Sequence, residues 1–170
     1  MNSQQHLYLK SRIIFLVLLS FSGLFAQMPD VVINEFMASN QSAIQDPDFG
    51  AYSDWLELFN TSEGDIDLSG YYLTDNMDNR GKWQFPQGTI ISTESYLLIW
   101  ADNENTELHT NFKISRSGEE LCLSDPDTVT IDSIYFGSQE EDISFGRNPS
   151  NDSDWAHFSP SSPGIENNMN

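Results

Sequence analysis

Residues 54–60 read DWLELFN, an aromatic and leucine-rich run with a carboxylate at its centre. Side chains along a strand alternate between faces, so Trp55, Glu57 and Phe59 fall on one side and Leu56 and Leu58 on the other. The leucines then supply the core contact without burying the charge, and Glu57 is expected on the polar side of the strand. A carboxylate in such a run is otherwise a candidate metal ligand or general acid or base, and the rest of the chain has to discriminate.

Working outward, the neighbouring segments have the same character. VVINEFM at 31–37 alternates, with Val31, Ile33, Glu35 and Met37 expected on one face and Val32, Asn34 and Phe36 on the other. GYYLTD at 70–75 and WQFP at 83–86 follow, and Pro86 points to an edge or a strand end. YLLIWAD at 96–102 is the most apolar run, as expected of a strand covered on both faces. ELCLSD at 120–125 and TVTIDSIYF at 128–136 flank a hairpin turn at Pro126 and Asp127, and ISFGR at 143–147 and WAHF at 155–158 complete the set. Sustained helical periodicity is absent, and about nine short strands separated by turns predict an all-β sandwich or barrel. The loop at 38–53 is long for a compact domain, which favours a functional role. The tail from Ser159, SPSSPGIENNMN, is expected to be irregular and exposed, with no separate sorting or anchoring domain after it.

The first 26 residues have the anatomy of a secretory signal: Lys10 and Arg12, an apolar run, then small residues up to Ala26. The apolar run is too short to span a bilayer, so no transmembrane segment is expected in the mature chain, which is placed in a periplasmic or extracellular space. Removing 26 of 170 residues leaves 144, enough for one domain at 27–170. Two positive charges leave with the signal, taking the formal charge from −19 to −21. That much negative charge repels a phosphate backbone and argues against a nucleic-acid partner. A single cysteine, Cys122, excludes an internal disulfide and reads as a small core or interface residue. His109 and His157 each stand alone in sequence, with no HExxH or Cys/His cluster to mark zinc. The sequons at Asn40, Asn60 and Asn151 are compatible with surface loops, and the four tryptophans would make a sugar-stacking platform only if two shared an open face.

In order, VVINEFMASN, DWLELFN, DLSGYYLTD, WQFPQGTII, YLLIWAD, FKISRSGEELCLSD, DISFGRNPSNDSDW and SPGIEN resemble the lamin tail domain as found in exported bacterial proteins. The resemblance runs over about 31–167, implies an immunoglobulin-like β-sandwich and places DWLELFN in the family's second strand. It implies a binding or adaptor role, since such domains are often attached to exported enzymes without a catalytic motif of their own. One departure is the turn before Tyr96: Glu94 and Ser95 stand where the family commonly has glycine, pointing to a different turn type.

No GxSxG elbow or phosphate loop is present, so the chain is expected not to be an enzyme. The favoured function is a secreted binding or adaptor module for a protein or glycan at the cell envelope or outside, of unknown oligomeric state. The alternatives are calcium-dependent adhesion, carbohydrate binding, or an accessory domain of an exported hydrolase. No cofactor is expected other than calcium, for which DPD at 46–48, DNMDN at 75–79 and NDSD at 151–154 offer oxygen ligands. A more specific calcium set is Glu35, Asp54 and Glu57, if the first two strands pair with both glutamates on one face.

Overall fold

The computed structural model describes residues 30–168; the expected signal at 1–26 lies outside the described residues. Eleven strands follow in chain order: β1 (Val31–Met37), β2 (Trp55–Asn60), β3 (Ile66–Asp67), β4 (Tyr72–Thr74), β5 (Trp83–Gln84), β6 (Ile90–Ile91), β7 (Tyr96–Trp100), β8 (Glu119–Ser124), β9 (Thr130–Phe136), β10 (Ser144–Asn148) and β11 (Asn151–Phe158). The nine expected strands are present. The two that periodicity missed, β3 and β6, are two residues each, too short to carry a pattern, and pair only with each other.

A five-stranded sheet runs β11-β10-β1-β2-β7 and a four-stranded sheet runs β5-β4-β8-β9, with antiparallel pairing throughout. The described residues contain no helix, and none therefore that could cross a membrane. The sheets face each other across one core, in which Ile33, Phe36, Leu56, Leu58 and Ile99 meet Leu73, Leu121, Leu123 and Phe136. Phe36 and Phe136 touch across the sheets with ring centroids 4.4 Å apart. Each such side chain contributes about 1.5–3 kcal/mol by leaving water.

The expected alternation of VVINEFM fails at its middle. Ile33 pairs with Leu58 and Glu35 with Glu57, so Asn34 is an extra residue in β1, a β-bulge. Past it the phase reverses: Phe36 joins Val31 and Ile33 in the core, while Glu35 and Met37 move to the outer face with Val32. A bulge leaves main-chain groups without ladder partners, which burial would make costly. Here the Ile33 N–H donates to Asp132 Oδ2 at 2.7 Å and the Ile33 carbonyl accepts from Arg147 Nε at 2.8 Å. Arg147 Nη2 closes the ring on Asp132 Oδ2 at 2.7 Å. Because Asp132 lies in β9, this polar ring rivets one sheet to the other.

Two further expectations change. β7 is an edge strand with Tyr96, Leu97 and Leu98 half-buried, whereas β1, at the centre of the large sheet, is buried along its whole length. Asn40 and Asn60 are buried rather than displayed, because each ties a loop to itself. Asn40 donates to the Ile44 and Ser53 carbonyls and accepts from the Ala43 and Ile44 N–H groups. Asn60 donates to Gly64, Ile91 and Ser92 carbonyls. Only Asn151 of the three sequon positions is exposed.

Replacing Asp132 by alanine leaves the Ile33 N–H and the Arg147 guanidinium short of an acceptor. Urea unfolding of Asp132→Ala is expected to show a loss of about 2–3 kcal/mol, with the slope unchanged.

Candidate functional site on the outer sheet face

The side of β2 expected to be polar, at Glu57, belongs to an outer face that β1, β2 and β7 share. That face is divided along the strands into three zones, each with its own cover or opening.

At one end Met37, Trp55 and Trp100 form a second apolar cluster, against which the long loop packs Ile44. Trp83 is buried in the main core and Trp155 packs against it, so no two tryptophans share an open face.

In the middle stand Glu35 and Glu57, directly paired across β1 and β2, and neither has any solvent exposure. This corrects the expectation that Glu57 is the polar side of the strand. The cover is part of the tail, which is irregular and largely exposed as expected, except that Ser162 and Asn167 turn inward and are buried. Glu35 accepts hydrogen bonds from the Ser144 hydroxyl, the Ser162 N–H and the Ser162 hydroxyl. Glu57 accepts from Asn34 Nδ2 at 2.9 Å and from the Gly164 N–H. Asn34, the bulged residue, also reaches Asn167 Oδ1, and Asn167 Nδ2 donates to the Arg147 carbonyl at 2.7 Å. Gly146, opposite Glu35 in β10, makes room for this docking: a Cβ there would lie 2.7 Å from Asn167 Nδ2 and 3.0 Å from the Asn34 carbonyl oxygen.

Burial dominates the electrostatics of the pair. It pushes Glu57 up to about 7, against the opposing donors Gly164 and Asn34, and the adjacent Glu35 raises it further. Glu35 is raised for the same reason, burial outweighing the hydrogen bonds from Ser144 and Ser162. Asp54, the third residue of the expected calcium set, is not brought into this pair. It precedes β2, accepts from the Asn40 N–H at 3.0 Å and is raised by burial against the pull of Asn40 and Lys113.

At the far end the face is open. A cavity of about 480 Å³ lies over Val32, Phe59 and Tyr96, with Glu94, Arg147 and Glu166 among its walls. Phe59 and Tyr96 are cross-strand neighbours whose rings stack at 4.6 Å and 24°. The Tyr96 hydroxyl is pushed up to about 12, by burial first and then by Glu57, Glu166 and Glu35, so it stays a donor at any ordinary pH. Glu94 has φ of +51°, in the left-handed region that favours glycine.

Cys122 and His109, each without a partner in sequence, acquire surroundings. Cys122 is fully buried beside Ser124 and Thr130, a small core residue. His109 is not alone: its ring lies between Asp102 and Asp48. No motif spacing joins His109 to its neighbours, because two separate connections deliver them, the 38–53 loop and the segment between β7 and β8.

The carboxylate pair has a measurable consequence. A carboxyl whose pKa is higher folded than unfolded contributes stability that is complete below its unfolded value and is lost as pH rises through its folded value. For Glu57 the window runs from about pH 4.5 to about 7, and its full extent is roughly 3 kcal/mol. Chemical denaturation from pH 4.5 to 8 is therefore expected to show stability falling with pH, and Glu57→Gln to flatten that slope.

The family model of the Lamin Tail Domain matches residues 26–138, through the end of β9. No curated protein matches the chain. The match covers well over half of the sequence and all of the four-stranded sheet, and the chain belongs to the lamin tail domain family, as an immunoglobulin-like β-sandwich.

Proposed function

We propose that the chain is exported and acts as a non-catalytic binding module, holding a glycan in the groove at the open end of the outer sheet face. The groove itself carries this reading. It combines an aromatic floor, Phe59 and Tyr96, with carboxylates at Glu94 and Glu166 and the protonated Tyr96 hydroxyl. Sugars present C–H faces that lie against aromatic rings and hydroxyls that donate to carboxylates, and a concave site needs few such polar groups to fix orientation. Glu94 supports the assignment, since a glutamate in the left-handed region costs about 1 kcal/mol that glycine would not, and it stands among the groove's walls. The Glu35–Glu57 pair supports the non-catalytic part: tail donors occupy both carboxylates and remove them from the solvent. A protein partner is the competing occupant.

Tyr96→Ala is expected to weaken binding on a glycan array at least tenfold. Glu94→Gly is expected to weaken it as well while stabilising the fold by about 1 kcal/mol. Absence of glycan binding by the wild-type chain, or binding indifferent to Tyr96→Ala, would overturn the reading and leave a protein partner.

A further inference from the structure

The loops at the opposite end of the face hold a cluster that neither the fold nor the groove uses. Asp46 lies in the long loop, Asp102 just past β7, and His109 in the segment that bridges the edge of β7 at Trp100. Asp46 and His109 are buried, and the Asp102 side chain is nearly so, at 9% exposed. His109 Nδ1 stands 2.7 Å from Asp102 Oδ2 and 4.0 Å from Asp46 Oδ2, and Nε2 stands 3.2 Å from Asp48 Oδ2.

The two oxygens of Asp46 have different fates. Oδ1 accepts the Asp48 N–H at 2.8 Å, and the Asp46 main chain bonds Gly50 and Ala51, so the loop is shaped without help from the other oxygen. Oδ2 is buried and has no hydrogen-bond partner, although it faces the imidazole. An unsatisfied buried carboxylate oxygen is costly, and an imidazole carries at most one positive charge against the three carboxylates of Asp46, Asp48 and Asp102. Lys113, whose backbone bridges Asp102, acts on Asp54. The position calls for more positive charge than the described residues bring to it.

We propose that Asp46 Oδ2, an Asp102 carboxylate oxygen and His109 Nδ1 bind a first-row divalent cation of the zinc or manganese kind. One ligand atom from each residue falls within 4.8 Å of the others. Two ligands on a tetrahedral zinc are separated by about 3.3 Å, so the 2.7 Å contact opens and the 4.0 Å contact closes by similar small amounts. Asp48 completes the arrangement in the way metal-bound histidines require: it accepts the Nε2 proton, fixing the tautomer that leaves the Nδ1 lone pair for the ion. The proton held between Nδ1 and Asp102 leaves to solvent as the ion enters. Phe49 packs edge-on to His109 at 4.9 Å and limits access from one side. A cavity of about 350 Å³ borders the cluster on one side, where Phe49 and Asp102 are among its walls. One imidazole with two carboxylates suits zinc or manganese; calcium takes oxygen ligands and would forgo His109.

The test is calorimetric titration of zinc chloride and, separately, manganese chloride into the tag-free chain, with calcium chloride as the comparison. One ion per chain is expected, with a melting midpoint raised by about 5 °C or more at a hundredfold excess over the dissociation constant. Asp46→Asn and His109→Gln are each expected to abolish both effects. In case either variant fails to fold, imidazole ¹⁵N spectra of the wild type and of His157→Gln provide a second readout: zinc should move the Nδ1 resonance of His109. No binding of either metal, or binding that survives both variants and leaves His109 Nδ1 unmoved, would overturn the site.

Discussion

The arrangement of this sandwich depends on one inserted residue. Asn34 bulges from the central strand of the large sheet, and the phase reversal it imposes sends Phe36 inward and Glu35 outward, opposite Glu57. Without it, strict alternation would drive Glu35 into the apolar core, where no donor awaits it. The bulge also exposes the main chain of Ile33 to Asp132 and Arg147, and its own amide bridges Glu57 to Asn167. A single backbone irregularity thereby couples the two sheets, the carboxylate pair and the closing tail.

The outer face can then be understood as a division of labour along three adjacent strands. The loop covers the Trp55 end with apolar contact, the tail covers the middle with hydrogen bonds, and the remaining end is left as a groove walled partly by that tail, through Glu166 and Asn167. Closing the middle zone and shaping the groove are thus tasks of the same few residues. A buried carboxylate pair is a poor source of stability, but its geometric demands are strict, and here they fix where the tail lies.

Much of the architecture was legible because it rests on local signals. Turn residues and alternating apolar runs marked nine strands, the Pro126–Asp127 hairpin and the edge position of WQFP. The order of motifs led to the family. What alternation could not reveal was the bulge, since nothing in VVINEFM distinguishes an inserted Asn34 from a paired one. The error over Glu57 followed from that and from a non-local fact: its partner Gly164 lies 107 positions away, in a tail whose composition reads as exposed. Asn40 and Asn60 misled for a related reason, because an amide that ties a loop and one that decorates it look identical in sequence. Asp46 stood out as a possible oxygen ligand within DPD, but its meeting with Asp102 and His109 escaped notice since no motif spacing links them, and the bridge from β7 to His109 is non-repetitive structure.

The position of β1 between β2 and β10 also governs when the molecule can form. One partner of β1 follows within some twenty residues, but the other, Gly146 opposite Glu35, arrives 111 positions later. Such non-local pairing is slow, on the order of milliseconds to seconds in all-β domains, because loop entropy must be lost before contacts compensate it. Until β10 arrives, the strand buried along its whole length presents a bare edge, a template for pairing with other chains. The high negative charge of the sequence acquires a second use in that interval, keeping unfinished copies apart while the central strand waits for its last neighbour.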